Sequence, residues 1–266
     1  VTKFVKGESA SISSCITQHG VLTTEVQRQL IDLREVVGFY GRNGVFSGHE
    51  WGDFYSAEVN IKAQAIAKKI GEFMAKSGYK GIFGLDLVVD VEAGEVSLVE
   101  CNSRYTGAFP MYTMLQKQAG EIPIDLWHLL EFWGIDYEMD FELVQKSYCQ
   151  PKKGAQLVLH NLERSWVEMG GKVKAGLYSF GKEGLKYEGC SFELADINNY
   201  TQFVLTDGVP CQGWSLKPGE RIGRLLFNRQ ITENRGQRLL PEIVEAIAEL
   251  YKMYDLIRVE RPVSEE

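Results

Sequence analysis

The chain has 266 residues, 44% of them hydrophobic and 24% charged, with a formal net charge of -7. That length supports one large domain or two smaller ones with a sizeable core, and that balance excludes a long disordered chain. Basic residues are scattered rather than clustered, which speaks against a nucleic-acid partner while leaving room for a local phosphate pocket.

The five cysteines, Cys15, Cys101, Cys149, Cys190 and Cys211, form no CxxC pair. A zinc knuckle or a thioredoxin-type motif therefore has no support, and free thiols in a reducing cytoplasm are expected. No apolar run approaches the ~20 residues of a membrane span, and no secretory signal is visible. The expected location is cytoplasmic, without a membrane partner. The chain opens on Val1 rather than Met, inside a strand-like run, so a preceding segment is expected.

Val1 to Val5 and Ser9 to Ile16 are short β-rich runs around Lys6-Gly7-Glu8, and His19-Gly20 reads as a turn. Leu22 to Phe46 reads as no single element and ends in the loop signal Gly41-Arg42-Asn43-Gly44. The spacing of Val59, Ala63, Ile66, Ile70 and Phe73 predicts a helix over 58–76, stopped at Ser77-Gly78. Ile82 to Val89 and Val96 to Cys101 flank Glu92-Ala93-Gly94 and predict a hairpin. Helices are expected over 110–118 and 124–133, and a composition change at Tyr148 to Gly154 marks a boundary. Strands are then expected over 155–162, 173–180, 192–195 and 222–228. A closing helix over 236–256 follows, its apolar face made by Leu240, Ile243, Val244, Ile247, Leu250 and Tyr254.

The chemistry concentrates in Gly81-Ile82-Phe83-Gly84-Leu85-Asp86 and in Glu100-Cys101-Asn102-Ser103-Arg104. Hairpin strands lie about 4.8 Å apart, and alternation turns Glu100 and Asn102 to one face. Asp86 joins them in the right register. Three oxygen donors on one surface suit Mg²⁺, which keeps waters and substrate phosphates in its shell. Arg104 follows on the same face if the strand continues, where a guanidinium can hold a phosphate or acyl-phosphate oxygen. The same pattern fits a solvated sheet face equally well.

A glycine-rich entry to an acid-bearing strand, a hairpin, then E-x-N-x-R resembles the Mg²⁺-ATP site of the ATP-grasp superfamily. That resemblance implies Asp86, Glu100 and Asn102 as ligands for Mg²⁺, with Mn²⁺ as a substitute. It implies Arg104 as the catalytic contact to phosphate or the reacting acyl group, and Val88 as a residue packed on adenine. The opening Val1 to Glu8 looks like the family's hinge strand. Lys3, Phe4 and Val5 would line adenine and Glu8 would hold the ribose; Thr2 stands where the family usually has an acid.

The resemblance covers residues 1–150 closely and 151–266 loosely. The order Gly154 to Glu163, then Arg221 to Phe227, then a long helix is similar to the C-terminal domain of biotin carboxylase. The implied fold class is α+β. An ATP-grasp C-terminal lobe, an antiparallel sheet with helices, would span 1–150, and a smaller β-rich domain closed by the last helix would span 151–266. The implied function is ligation of a small-molecule carboxylate to an amine through an acyl-phosphate made with ATP. A homodimer through the second part is implied likewise.

A non-catalytic nucleotide-binding or assembly module and a biotin-carboxylase-type carboxylase are the alternatives. Against the latter, His49-Glu50-Trp51-Gly52-Asp53 replaces the stretch that precedes the metal strands in biotin carboxylase. The family's other lobe, with its phosphate-covering loop, is expected upstream, so this chain alone is expected to bind ATP weakly and not to turn over. His19, His49, His128 and His160 have no metal spacing and are expected to be structural, His49 being the one placed to reach substrate. Trp127, Trp133 and Tyr112 are expected in the core, and Cys101 is expected to be buried on the face opposite the ligands.

Overall fold

The β-rich runs on either side of His19-Gly20 form a long antiparallel hairpin, β1 (Glu8–Thr17) and β2 (Gly20–Ile31), in the computed structural model, which describes residues 4–38 and 44–260. Phe4 to Lys6 join no strand, which corrects the expected opening strand; Val1, Thr2 and Lys3 lie outside the described residues. The stretch from Leu22 resolves into the rest of β2, then α1 (Arg34–Val37) and β3 (Phe46–Trp51). Then come α2 (Ala57–Lys76), β4 (Gly81–Asp90), β5 (Glu95–Asn102), α3 (Phe109–Gln118), α4 (Ile124–Trp133) and α5 (Phe141–Tyr148).

Beyond them follow β6 (Gly154–His160), β7 (Val167–Met169), β8 (Gly176–Gly181), β9 (Gly184–Gly189), β10 (Gln202–Thr206), β11 (Ser215–Leu216) and β12 (Arg221–Phe227). The chain closes with β13 (Thr232–Glu233), β14 (Arg238–Leu239), α6 (Pro241–Tyr254) and β15 (Leu256–Arg258). The class is α+β, as expected.

Two compact units emerge. The first comprises residues 1–29 and 51–153; the second comprises 30–50 and 154–266. The stretch 30–50, read above with the first part, belongs to the second unit.

The first unit is built on strands ordered β5-β4-β1-β2, all antiparallel. One face is apolar: Ala10, Ile12, Val26, Phe83, Leu85, Leu87 and Val89 pack with Val59, Ala63 and Ala67 of α2. Ser56 caps α2 by accepting the Val59 N–H at 3.3 Å, and Glu58 and Lys76 complement the helix dipole at its two ends. Gly71 completes the buried stripe, because a Cβ there would meet Val21 at 2.7 Å. Phe73, expected on that stripe, is exposed, and Ile66 and Ile70 are only partly buried. Small residues bring this helix close to the sheet, so its buried face lies to one side of the large-residue stripe.

The second unit orders its strands β3-β6-β12-β10-β8-β9, with β11-β7-β15 and β13-β14 as small separate sheets. Its core joins Leu157, Leu159, Leu205, Leu225 and Phe227 to Ile243, Ile247, Leu250 and Tyr254 of α6. That helix starts at Pro241, five residues later than expected from Gly236, since Arg238 and Leu239 pair in a strand and proline suits a first helical turn. Phe192 to Ala195 is not a strand. A 3₁₀ turn at Leu194–Asp196 occupies it, with Ser191 Oγ donating to Asp196 at 2.6 Å. Trp127 and Tyr112 are buried as expected, but Trp133 is 67% exposed at the end of α4.

Candidate functional site

The face of the first unit's sheet turned away from α2 is polar. Strand register places Gln27 beside Ser11, Ser11 beside Asp86, and Asp86 beside Glu100. Paired residues share a face, so these four form one row across β2, β1, β4 and β5. Alternation adds Asn102 and Val88 to the same face. The register of β4 and β5 shifts between Asp86 and Leu87, where Val99 is the extra residue. A bulge of this kind twists a strand and re-aims the side chains next to it.

Hydrogen bonds tie the predicted donors together. Asn102 Nδ2 donates to Asp86 Oδ2 at 3.1 Å, and Gln29 Nε2 donates to Asp86 Oδ1 at 3.3 Å. Arg104 Nη2 in turn donates to Asn102 Oδ1 at 2.9 Å. Glu100 is exposed, Asp86 half-buried and Asn102 buried. Burial raises the Asp86 carboxyl above its ordinary range, with Glu100 adding to the rise, while the Asn102 and Gln29 amides and Arg104 oppose it. Within the row, Ser11 Oγ and Gln27 Oε1 are buried with no hydrogen-bond partner among the described residues. Unsatisfied buried acceptors beside a carboxylate cluster mark a face that is not self-sufficient.

The other predicted residues are placed differently. Glu8 pairs with Val89 on the face covered by α2, 3.6 Å from Arg28, which stacks on Phe54 at 4.0 Å. It therefore does not share the face of Asp86. Phe4 is 87% exposed, and Val5 is half-buried just before β1. Gly7 brings this entry against the end of β4, where a Cβ would meet the Val89 carbonyl at 2.5 Å and Val88 at 2.7 Å. Lys3 lies outside the described residues.

Cys101 does point away from the ligands, toward Met74 of α2 at 3.8 Å, but it is exposed rather than buried. Gln29, Gln27 and Ser11 were missed. The spacing Glu25-x-Gln27-x-Gln29 inside a β-branched run was the available signal.

The histidines are engaged elsewhere. His19 Nε2 lies 2.8 Å from the Tyr137 carbonyl, His128 Nδ1 accepts the Ile82 N–H at 3.2 Å, and His160 Nδ1 lies 3.2 Å from the Val36 carbonyl. His49 is buried, with Gln156 Nε2 2.9 Å from its Nδ1. Among the described residues no group of three or more His, Cys, Asp or Glu is placed to hold a metal; the candidate set is two carboxylates and an amide. No helix among the described residues is long and apolar enough to cross a membrane.

Residues 1–108 match the family model for the ATP-grasp domain. No curated protein sequence matches the chain. Among solved structures it is similar to the biotin carboxylase subunit of pyruvate carboxylase, with a TM-score of 0.52 and 13% identity, covering 97% of this chain and 48% of that one. It is also similar to the biotin carboxylase domain of a thermophilic 2-oxoglutarate carboxylase bound to bicarbonate, with a TM-score of 0.50 and 12% identity over 97% and 49% of the two chains. The L-amino acid ligase from Bacillus licheniformis gives 0.48 and 13% over 97% and 55%. The chain spans about half the length of these structures. At such identities the likeness is one of fold.

Proposed function

We propose that this chain, whose residues 1–108 match the ATP-grasp domain, is the metal-binding and catalytic part of an ATP-dependent ligase that activates a carboxylate as its acyl-phosphate for attack by an amine. The observation that carries the reading is the gathering of Asp86, Glu100 and Asn102 on one hairpin face, with Arg104, two residues past the end of β5 rather than on a continued strand, bonded to Asn102.

The donor set fits Mg²⁺ or Mn²⁺. Two carboxylates and an amide oxygen are hard ligands, and the row beside them holds buried acceptors with no partner among the described residues. When bound with ATP, the metal supplies charge neutralisation on the transferring phosphoryl oxygens.

Asp86, Glu100 and Asn102 hold that group on the sheet. Arg104, exposed and two residues beyond Asn102, turns its guanidinium to the negative charge that develops on phosphate or acyl oxygen. Val88 would offer adenine an apolar surface two residues from Asp86, and Phe4 and Val5 would line it from the stretch just before Gly7, which lies against the same end of β4. Lys3 belongs to this adenine-lining stretch. Glu8 reaches a ribose only by turning around the end of β1. The substrates are a small-molecule carboxylate and an amine, the compartment is the cytoplasm, and assembly is a homodimer through the second unit.

Calorimetric titration with ATP, with and without Mg²⁺, tests the site. Mg²⁺-dependent binding lost in Glu100→Ala is expected; binding that ignores both the metal and that substitution would sink the reading. ATP cleavage that requires bicarbonate and rises with biotin would replace the ligase with a carboxylase.

A further inference from the structure

We propose that Gln29 is a positioning residue for Asp86, holding its carboxylate in the orientation in which it meets the metal; this rests on the metal site proposed above. Asp86 has two oxygens, and each takes one amide N–H: Oδ2 from Asn102 at 3.1 Å and Oδ1 from Gln29 at 3.3 Å. A carboxylate gripped at both oxygens cannot rotate freely about its last bond, yet each oxygen keeps a lone pair for a further partner.

The chemistry of the grip matters. Lysine or arginine in place of Gln29 would neutralise the carboxylate and compete with a divalent cation. A neutral amide orients it and leaves its charge available. The grip comes from a different strand, β2, so Asp86 is referenced to the hairpin that carries Ser11 and Gln27 and not only to its own β5 neighbour. Gln29 is half-buried at the edge of the polar row, where it orients the carboxylate without covering it.

The test is titration of the chain with Mn²⁺ in the presence of ADP, followed by electron paramagnetic resonance and calorimetry. Thermal melts of each variant accompany it. Asp86→Asn is expected to abolish the bound-Mn²⁺ signal. Gln29→Met, which keeps length and loses the donor, is expected to weaken Mn²⁺ about tenfold and to broaden the bound spectrum at an unchanged Tm. Gln29→Leu provides the same comparison should the methionine variant fold poorly.

Wild-type affinity and spectrum in both Gln29 variants, with binding still lost in Asp86→Asn, overturns the role of Gln29 and keeps the metal site. Loss of affinity that tracks a loss of Tm makes Gln29 a fold residue and also overturns the role. Unaltered binding in Asp86→Asn, or none in the wild type, removes the metal reading and the Gln29 role with it.

Discussion

Arg104 donates to the side-chain oxygen of Asn102 at 2.9 Å, and that is the only oxygen the Asn102 side chain has to offer a metal. An amide oxygen has two lone pairs, so sharing is not forbidden. A guanidinium and a dication on one oxygen nevertheless repel. On the metal site proposed above, Arg104 would be a placeholder that metal loading displaces toward the phosphate or acyl group. Arg104→Met is expected to tighten Mn²⁺ binding by roughly three- to tenfold while the proposed ligation is lost. Calorimetry with Mn²⁺ and no nucleotide reads the first effect; weaker or unchanged binding would remove the competition.

Glu25 is a buried acid whose two oxygens accept the Lys152 backbone N–H at 2.9 and 3.0 Å. Burial pushes its carboxyl from 4.5 up to about 8, against the pull of Lys152. The free chain ionises near 4.5 and the folded chain near 8, so folding takes up a proton between those values. Stability falls as pH rises through that window, by at most ~1.4 kcal/mol per pH unit. Glu25→Gln removes the dependence. Its Tm is expected to gain on the wild type steadily from pH 5 to pH 8, and a gap that stays constant with pH would defeat the assignment.

The β4–β5 hairpin and its E-x-N-x-R pattern were legible because turn residues, alternation and one acid in an apolar strand all point the same way. The site's partners on β2 were not, because Leu22 to Phe46 contains a strand, a four-residue helix and the start of another strand in the other unit. No single period describes such a stretch. Phe73 looked like core because large apolar residues recur at helical spacing, but small residues decided which face of α2 was buried. Glu8 was legible as a strand start; its face depends on register, which no local pattern supplies.

His49 is not placed to act as a base. Gln156 Oε1 accepts from Arg224 at 2.7 Å, which fixes the amide and leaves its NH₂ to donate to His49 Nδ1 at 2.9 Å. The ring proton then sits on Nε2. Burial, with Arg224 adding to it, lowers the pKa from 6.5 to about 3. The free chain protonates below 6.5 and the folded one does not, so this stabilisation is complete above 6.5 and is lost as pH falls toward 3. Imidazole nitrogen shifts are expected to show one neutral Nε2–H tautomer down to pH 4. Titration near 6.5 would break the Gln156 chain.

Gly48 keeps that chain in place. Its φ is +153°, and a Cβ would lie 1.9 Å from the Gln156 carbonyl oxygen. The obstacle is backbone rather than a side chain that could swing aside, so β3 must move from β6 to admit even a methyl group. Gly48→Ala is expected to cost ~3 kcal/mol or more, and the shift of Gln156 is expected to loosen its bond to His49. Gly181→Ala is the control, since nothing lies within 4 Å of a Cβ there and its Tm is expected to match the wild type. Equal losses in both variants would detach the cost from the approach to Gln156, since Gly→Ala lowers the entropy of the unfolded chain and does not by itself destabilise, whereas a Tm drop confined to Gly48→Ala, together with a His49 ring that begins to titrate nearer 6.5, assigns it to the positive φ and the β3–β6 approach at that position.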